Sequence, residues 1–358
     1  MMNHPIIIAG PCSAETQDQV RSAAAQLKDF RLPSAAGGGG ISFFRSGIWK
    51  PRTRPGTFEG VGEAGLPWLS GIQQEFGLSA CTEVASARHV EQVVKAGLQA
   101  VWIGTRTTAN PFLVEEIAEA LGGTSLHVFV KNPINPDLGL WIGAVQRVLR
   151  HHPGQVYAIH RGFSDYHIGQ LRNAPLWRVP IEFKVQMPDI PLLCDPSHLS
   201  GDTVFIPELA QRALDLNFDG LMLEVHPRPK EALCDARQQL DPDAFKDLMH
   251  ALSWRRSTPS ADSLSEEKIL IDAIRTRIDV LDDDLVDILA QRMSLVDQIG
   301  QVKKRGGIGI IQIERWNVVS SRTRRLASEK GLDDTFIEEV YRAIHQQSIK
   351  RQEKIIRE

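Results

Sequence analysis

The stretch PIIIAGPCS, residues 5–13, decides the fold: a short apolar run that ends at a potential metal ligand, Cys12. A near-continuous apolar run predicts a strand that is buried on both faces. Seven more runs of this kind follow before residue 255, and each has a charged or metal-binding side chain at or just beyond its end. These runs are Ser42–Arg45, Leu78–Val84, Ala100–Gly104, His127–Lys131, Val156–His160, Pro191–Cys194 and Gly220–Val225.

Helical patterns fill the intervals between these runs. Examples are Ala14–Phe30, Ala87–Ala96, Pro111–Leu121 and Thr203–Leu216. Eight strand-helix units in about 250 residues predict a (β/α)8 TIM barrel over residues 1–255. A doubly wound open sheet is the alternative, but no Gly-x-Gly-x-x-Gly turn follows the first strand.

The sequence pattern changes after residue 255. Residues 256–264 are polar and rich in helix breakers, which predicts a linker, and residues 265–358 predict an all-α domain of three helices. The first helix is nearly 40 residues long, and Gly306–Gly309 ends it. The other two helices are expected over Ile313–Lys330 and Asp333–Ile356. Three helices cannot cover so long an apolar stripe, so an intertwined homodimer is expected. The stripe consists of Ile271, Ile274, Ile278, Leu281, Leu285, Ile288, Leu295 and Ile299.

Bulk composition narrows the class of protein. The 358 residues include 41 Lys and Arg against 44 Asp and Glu, a net charge of −3. Neither a nucleic-acid partner nor a membrane partner is expected from such a balance. The N-terminus predicts no signal peptide, and no apolar run approaches the roughly 20 residues of a membrane span. Four cysteines without a Cys-x-x-Cys pair are typical of a reduced cytoplasmic protein.

The groups at the strand ends predict a site at one mouth of the barrel. Cys12, His198, Glu224 and Asp235 form a mixed S/N/O set, which suits a divalent first-row metal better than a closed structural zinc site. Arginines and lysines follow four of the strands. Their convergence indicates an anionic substrate that carries phosphate and carboxylate groups.

Seven motifs closely resemble those of 3-deoxy-D-arabino-heptulosonate 7-phosphate (DAHP) synthase, in its shorter class. The resemblance covers residues 4–252 and implies condensation of phosphoenolpyruvate with erythrose 4-phosphate, with loss of phosphate, in the shikimate pathway. The motifs are Gly10–Ser13, Lys50–Thr53, Ile103–Thr108, Val130–Asn132, His160–Gly162, Asp195–His198 and Leu223–His226.

The same resemblance implies a role for each site residue. The metal, which the sequence leaves open among Mn, Co, Fe and Zn, would be bound by Cys12, His198, Glu224 and Asp235. Phosphoenolpyruvate would be held by Arg45, Lys50, Arg106, Lys131 and Arg161, and erythrose 4-phosphate by Arg52 and Thr53. Either Lys50 or a water molecule at the metal would deliver a proton to the aldehyde oxygen. Glu83 would position the water that attacks C2 of phosphoenolpyruvate.

A related sugar-acid phosphate synthase that uses arabinose 5-phosphate resembles this barrel in most motifs. That enzyme typically carries an Asn-Arg-Ser segment where this chain has Lys50-Pro51-Arg52-Thr53. The segment therefore favours the four-carbon sugar.

Polar residues interrupt the apolar faces of the helical part. Arg292 continues the stripe of the first helix and Lys303 lies near it, while Ser348 and Gln352 continue the Ile344 face of the third. Buried polar groups destabilise a protein unless they find partners. Together with Arg275 and Arg315, which lie nearby, they indicate a binding site for a dianion.

These six positions resemble the ligand contacts of the all-helical class of chorismate mutase, over residues 270–355. The resemblance implies that Arg292 and Arg275 of the partner subunit clamp the two carboxylates of chorismate, and that Lys303 and Gln352 bind its ether oxygen. Trp316 stands where that family commonly has Glu, and Gln312 where it often has Asp. Two hypotheses follow: a bifunctional enzyme, or a regulatory domain without catalysis. In both, prephenate or chorismate is expected to inhibit the barrel.

Overall fold

Eight parallel strands form a closed barrel in the computed structural model. Each strand pairs with the next along the chain, and the last pairs with the first through a register that includes Ile6 opposite Gly220. The predicted barrel is therefore confirmed, and its closure excludes the open sheet. The strands are β1 Ile6–Gly10, β2 Phe43–Arg45, β3 Ala80–Val84, β4 Ala100–Ile103, β5 His127–Lys131, β6 Val156–His160, β7 Leu192–Cys194 and β8 Gly220–Glu224.

Helices follow the strands and surround the barrel. Several begin at a side chain that accepts a backbone N–H of the first turn, as Asn110 and Asp137 do. Such caps satisfy amides that have no partner within the helix. The helices are α1 Gln17–Leu27, α2 Leu66–Phe76, α3 Ala87–Lys95, α4 Thr105–Thr108, α5 Pro111–Leu121, α6 Leu138–His151, α7 Arg178–Gln186, α8 Pro196–Ser200, α9 Ile206–Asp215 and α10 Pro242–Ala251.

The strands separate two apolar cores, because successive side chains of a strand point to opposite faces. Ile6 and Ile8 belong to the core inside the barrel, together with Trp102 and Phe129. Ile7 belongs to the larger core between strands and helices. A fully packed interior keeps the strand ends rigid, so the groups that follow them are held in fixed positions.

The structure describes residues 4–52, 56–152, 154–165, 169–254 and 266–357. The chain divides into two compact units, Met1–Ser257 and Thr258–Glu358. The predicted linker, residues 256–264, and the predicted site residue Thr53 lie outside the described residues.

The described residues of the second unit form three helices, as predicted: α11 Glu266–Gly306, α12 Ile313–Glu329 and α13 Asp334–Arg357. Its buried groups lie in the C-terminal part of α11 and on the two shorter helices, and include Met293, Val296 and Ala327. The N-terminal part of α11 leaves its apolar stripe in contact with solvent within one chain; Leu281 is 65% exposed. None of the helices in the described segments combines the length and apolar character needed to cross a membrane.

Candidate active sites

A cavity of about 430 Å³ opens at the carboxyl ends of the barrel strands. Among the described residues, its lining contains six cationic side chains against two carboxylates. The cations are Lys50, Arg52, Arg106, Lys131, Arg161 and Arg172, and the carboxylates are Glu83 and Asp235. A cavity with this charge suits a substrate with several negative charges.

The four predicted metal ligands meet at this cavity, in two overlapping groups. His198, Glu224 and Asp235 offer donor atoms that all lie within 4.8 Å of one another, and Asp235 forms a second such group with Cys12 and Cys234. One sulfur, one imidazole nitrogen and two carboxylates fit a divalent first-row metal. The residues present therefore suit the ion that was predicted.

His198 is oriented as metal-binding histidines are. Its Nδ1 lies 2.8 Å from Asp195 Oδ2, although at an angle unsuited to a hydrogen bond, while its Nε2 lies 3.5 Å from Glu224 Oε1. A carboxylate behind one ring nitrogen commonly orients the other nitrogen toward a metal. Asp195 also accepts a hydrogen bond of 2.7 Å from Lys131 Nζ and caps helix α8 through the N–H of His198.

The Asp195 carboxylate is fully buried between its cationic partners. Burial raises its pKa, but His198 and Lys131 outweigh that effect and hold the pKa well below its usual value. Asp195 therefore stays ionised and ties Lys131, which lines the cavity, to the histidine of the metal site.

Glu224, at the end of β8, is held by three neighbours. Arg45 Nη2 donates to its Oε1 over 3.0 Å, Gln238 Nε2 donates to its Oε2 over 2.7 Å, and its backbone N–H donates to Ser197 Oγ. Arg45 is fully buried and lies over the ring of Trp102. Arg45, predicted as a substrate contact, thus lies beneath the cavity and binds Glu224, a predicted metal ligand; its Nε and Nη1 make no hydrogen bond.

Cys12 and Lys50 are direct neighbours, with Lys50 Nζ 3.1 Å from Cys12 Sγ. Burial lowers the pKa of Lys50, but electrostatic interactions with Cys12, Cys234 and the nearby carboxylates outweigh it and raise that pKa above its usual value. Cys12 and Cys234 titrate as a pair. The hydrogen bond between the two thiols raises the pKa of Cys12 and lowers that of Cys234 to about 6.

The remaining predicted cations line the cavity from other loops. Arg52 Nε donates to the carbonyl of Phe58, Arg106 Nη1 donates to the carbonyl of Pro51, and Arg161 Nη1 donates to Asn173 Oδ1. Burial lowers the pKa of Arg161 to about 10, which leaves it charged.

Glu83, on β3, is nearly buried and reaches the cavity beneath Gly104. A Cβ atom at position 104 would lie 2.0 Å from Glu83 Oε1. A side chain at position 104 would therefore displace this carboxylate from its present position.

Three residues of the site were not predicted from the sequence: Arg172, Cys234 and Gln238. Arg172 Nη1 donates to Asp235 Oδ1 over 2.9 Å and to Gln238 Oε1 over 2.6 Å. Cys234, beside Asp235, was not predicted as a site residue. Arg172 follows no strand, so position relative to a strand end could not have found it. For Cys234 a signal was present, because it adjoins a predicted ligand.

In the helical unit, three of the six predicted residues come together: Arg292, Ser348 and Gln352. Arg292 Nη donates to Ser348 Oγ over 2.9 Å, and Gln352 Nε2 lies 3.4 Å from the Ser348 carbonyl. Lys303 is buried and donates to the carbonyl of Ile310. The buried Gln352 Oε1 makes no hydrogen bond. Arg275 and Arg315 are instead exposed.

Trp316 borders this cluster. Its ring stacks on His345, with 4.2 Å between centroids and 26° between planes. Burial, and then the positive charge of Arg292, lower the pKa of His345. The residue that departs from the mutase pattern is thus packed beside the cluster.

The fold and the cavity together define a barrel enzyme for anionic substrates. The sequence profile of the DAHP synthetase I family matches residues 2–258, and that of chorismate mutase type II matches residues 274–353. The chain belongs to the DAHP synthetase I family and carries a chorismate mutase domain after the barrel. It is accordingly a bifunctional enzyme that combines a transferase with an isomerase of the shikimate pathway.

Known proteins resemble the barrel part of the chain. Phospho-2-dehydro-3-deoxyheptonate aldolase of Thermotoga maritima is 27% identical over 246 residues, which are 69% of this chain and 68% of the relative. The 2-dehydro-3-deoxyphosphooctonate aldolases of Campylobacter jejuni subsp. doylei and Helicobacter pylori are 28% and 29% identical, over 70% and 68% of this chain and 97% and 93% of theirs.

Solved structures agree with the fold. The crystal structure of the Thermotoga maritima aldolase gives a TM-score of 0.58 at 25% identity, covering 69% of this chain and 68% of that one. A truncated form of 3-deoxy-D-arabino-heptulosonate 7-phosphate synthase from the same organism gives 0.56 at 23% identity, covering 69% and 85%.

Proposed function

We propose that the barrel condenses phosphoenolpyruvate with erythrose 4-phosphate to DAHP and inorganic phosphate. The observation that carries this proposal is the cavity whose six cations surround a cluster of S, N and O donors. The two substrates bring two phosphates and one carboxylate, which match the charge of its walls. In the reaction, C3 of phosphoenolpyruvate bonds to the aldehyde carbon, water adds to C2, and phosphate leaves.

The ion would be held by Cys12, His198, Glu224 and Asp235. When bound, a divalent ion supplies Lewis-acid polarisation of the aldehyde oxygen. Asp195 keeps His198 oriented, and Arg45 and Gln238 fix both oxygens of Glu224. These supports place the donors before any substrate arrives.

The surrounding side chains bind and orient the substrates. Lys131 and Arg161, with Lys50 and Arg106, hold the phosphate and carboxylate of phosphoenolpyruvate. Arg52, with Thr53, holds the phosphate of the sugar. Lys50 remains protonated beside Cys12, which suits it to deliver a proton to the developing alkoxide. Glu83 positions the water that attacks C2.

The choice of sugar can be tested directly. Relatives include enzymes named for a phosphooctonate as well as a phosphoheptonate product. The purified chain should be given phosphoenolpyruvate with erythrose 4-phosphate or with arabinose 5-phosphate, and phosphate release measured. We expect kcat/KM to favour erythrose 4-phosphate by about 100-fold or more. A preference for the five-carbon sugar would replace this function with phosphooctonate synthesis.

We propose further that the helical unit converts chorismate to prephenate. The observation that favours this is the hydrogen-bonded group of Arg292, Ser348 and Gln352, with the buried Lys303 on the same helix as Arg292. Arg292 would bind a carboxylate, and Lys303 and Gln352 the ether oxygen as its C–O bond breaks. This rearrangement needs no nucleophile, so catalysis consists of selecting the reactive conformer and stabilising its charge.

The mutase site also supports a homodimer. Arg275 and Arg292 lie on the same straight helix, 17 residues apart, which is about 25 Å. One bound chorismate cannot contact both within one chain. The exposed stripe of α11 offers the surface through which Arg275 of the partner subunit would reach the site. A monomer at micromolar concentration in sedimentation analysis would contradict this arrangement.

Chorismate consumption in the Arg292→Ala variant tests the mutase. We expect turnover to fall by about 100-fold or more, because a preorganised cation at the reacting ligand is lost. Arg322→Ala, which removes an exposed arginine of α12, is the matched control and should turn over normally. Absence of turnover in wild type, with condensation intact, would leave the helical unit as a ligand-binding and dimerisation domain.

Prephenate, or chorismate itself, is proposed as a feedback inhibitor of the barrel. The fusion of an early and a later activity of one pathway supports this idea. Condensation rates that stay constant up to saturating prephenate and chorismate would refute it, whatever the outcome of the mutase assay.

A further inference from the structure

The loop after β8 brings a second thiol to the metal site. Cys12 follows β1 and Cys234 lies 222 positions later, yet both sulfurs and an Asp235 oxygen lie within 4.8 Å of one another. The family resemblance assigned Cys12 as the only sulfur ligand.

Several hydrogen bonds hold the two thiols in place. Gln239 is buried; its Oε1 accepts from the backbone N–H of Cys12, and its Nε2 donates to the carbonyl of Cys234. Ser13 Oγ lies 2.7 Å from Cys234 Sγ, and Glu15 accepts the N–H of Leu233. These hydrogen bonds connect the loop after β1 with the loop after β8, and so hold both cysteines in position.

The backbone turns both side chains of the Cys234-Asp235 pair toward the same point. Asp235 has a φ of +51° and a ψ of +33°, a left-handed conformation that non-glycine residues rarely adopt. Strain of this kind persists only where the surroundings enforce it, and it is concentrated at functional sites.

The distances suit a shared ion. Two thiolates on one tetrahedral metal, each at about 2.3 Å, lie about 3.8 Å apart. The two sulfurs lie within 4.8 Å of each other, so they need to approach each other only slightly when an ion binds. Cys81 and Cys194, in contrast, belong to the two apolar cores.

We propose that Cys234 is a second sulfur ligand, so that the site offers two thiolates, one imidazole and two carboxylates to its ion. This inference rests on the proposed metal site and extends it. A second thiolate makes the donor set softer and shifts preference from Mn²⁺ toward Zn²⁺, Co²⁺ and Fe²⁺.

Cobalt binding to the full chain under reducing conditions tests the proposal. Thiolate-to-cobalt charge transfer absorbs in the near ultraviolet in proportion to the number of thiolates bound. We expect the band of the wild type to fall by about half in Cys234→Ser and by about half in Cys12→Ser. Cys194→Ala is the control for loss of a buried thiol and should retain the full band, and circular dichroism checks folding.

The possible results distinguish the second sulfur ligand from the metal site on which that proposal rests. A band that is lost in Cys12→Ser and unchanged in Cys234→Ser would overturn the second ligand and leave the metal site standing. A wild-type band that neither substitution changes would overturn both. In chelator competition, Cys234→Ser should weaken Zn²⁺ binding at least tenfold more than Mn²⁺ binding. Equal losses for the two ions would overturn the proposed preference.

Discussion

The two halves of this chain build their sites in different ways. In the barrel, the functional groups follow strands that close into a ring, and buried ion pairs such as Lys131–Asp195 and Arg45–Glu224 fix them. In the helical unit, the groups lie along helix faces, and a long apolar stripe remains exposed. A barrel can complete a site within one chain, whereas the exposed helix faces are the reason for proposing that a second copy completes the helical site.

The largest predicted effect is a loss of barrel stability, and it should follow from removal of the buried Asp195 carboxylate. Asp195→Ala leaves Lys131 buried without a counterion, and breaking such a pair destabilises a protein by about 3–5 kcal/mol. Six of the seven tryptophans lie before residue 255, so tryptophan fluorescence during denaturation follows the barrel. Asp202→Ala, which also removes a capping aspartate, should cost only about 0.5–2 kcal/mol. Similar losses of unfolding free energy in both variants would show that the Lys131–Asp195 ion pair adds no stability beyond that of the helix cap.

Acid should destabilise the barrel through His160. This imidazole lies fully buried among Trp141, Phe163, Trp177 and Phe218, and burial lowers its pKa from 6.5 to about 3. The unfolded chain binds the proton first, so the contribution is complete above pH 6.5 and is lost as the pH falls toward 3. Between pH 6.5 and 4.5 the loss is about 2.3 kcal/mol.

The variant His160→Phe should remove this part of the pH dependence, measured by urea unfolding at the two pH values. The matched substitution in the helical unit, His345→Phe, should change the slope much less, because His345 is only partly buried. An unchanged slope in His160→Phe would mean that other groups carry the acid sensitivity.

A charge on the exposed stripe should separate the two activities. Leu281→Asp is expected to weaken dimerisation by about 1.5–3 kcal/mol, because a leucine of the proposed interface no longer buries its apolar surface. Sedimentation should then show monomers, mutase turnover should fall, and condensation should persist. Thr276→Asp adds the same charge on the opposite face of α11 and should leave the dimer intact. Dissociation by both variants would point to a net-charge effect.

The smallest effect is expected at Trp316. Trp316→Ala removes the stack on His345, worth about 0.5–1.5 kcal/mol, and should raise the KM for chorismate up to about tenfold. Trp316→Phe keeps an aromatic ring and should stay near wild type. Trp316→Glu, which matches the pattern common in the mutase family, should raise kcat/KM if a substrate hydroxyl lacks an acceptor. No response in any of the three would place Trp316 outside the site.

Regular structure was well predicted because its signals are local. Each of the eight strands was identified from an apolar run, and the structure moves their ends by at most two residues, as at Ala80 and Ile103. Helix α11 was predicted from the spacing of its apolar side chains alone. Positions at strand ends then predicted which groups meet at the barrel mouth, since closure brings all eight ends together.

The sequence by itself determined the barrel, the helical domain and most of the residues that line the cavity. Only the tertiary structure decided which partner each of those residues contacts. It placed Arg45 beneath the cavity on Glu224, joined Arg172 to Asp235, and set Cys234 beside Cys12. Such contacts connect residues 63 to 222 positions apart through loops of irregular conformation. No periodicity encodes them, because they depend on where folding brings each loop and on which buried charge must find a partner.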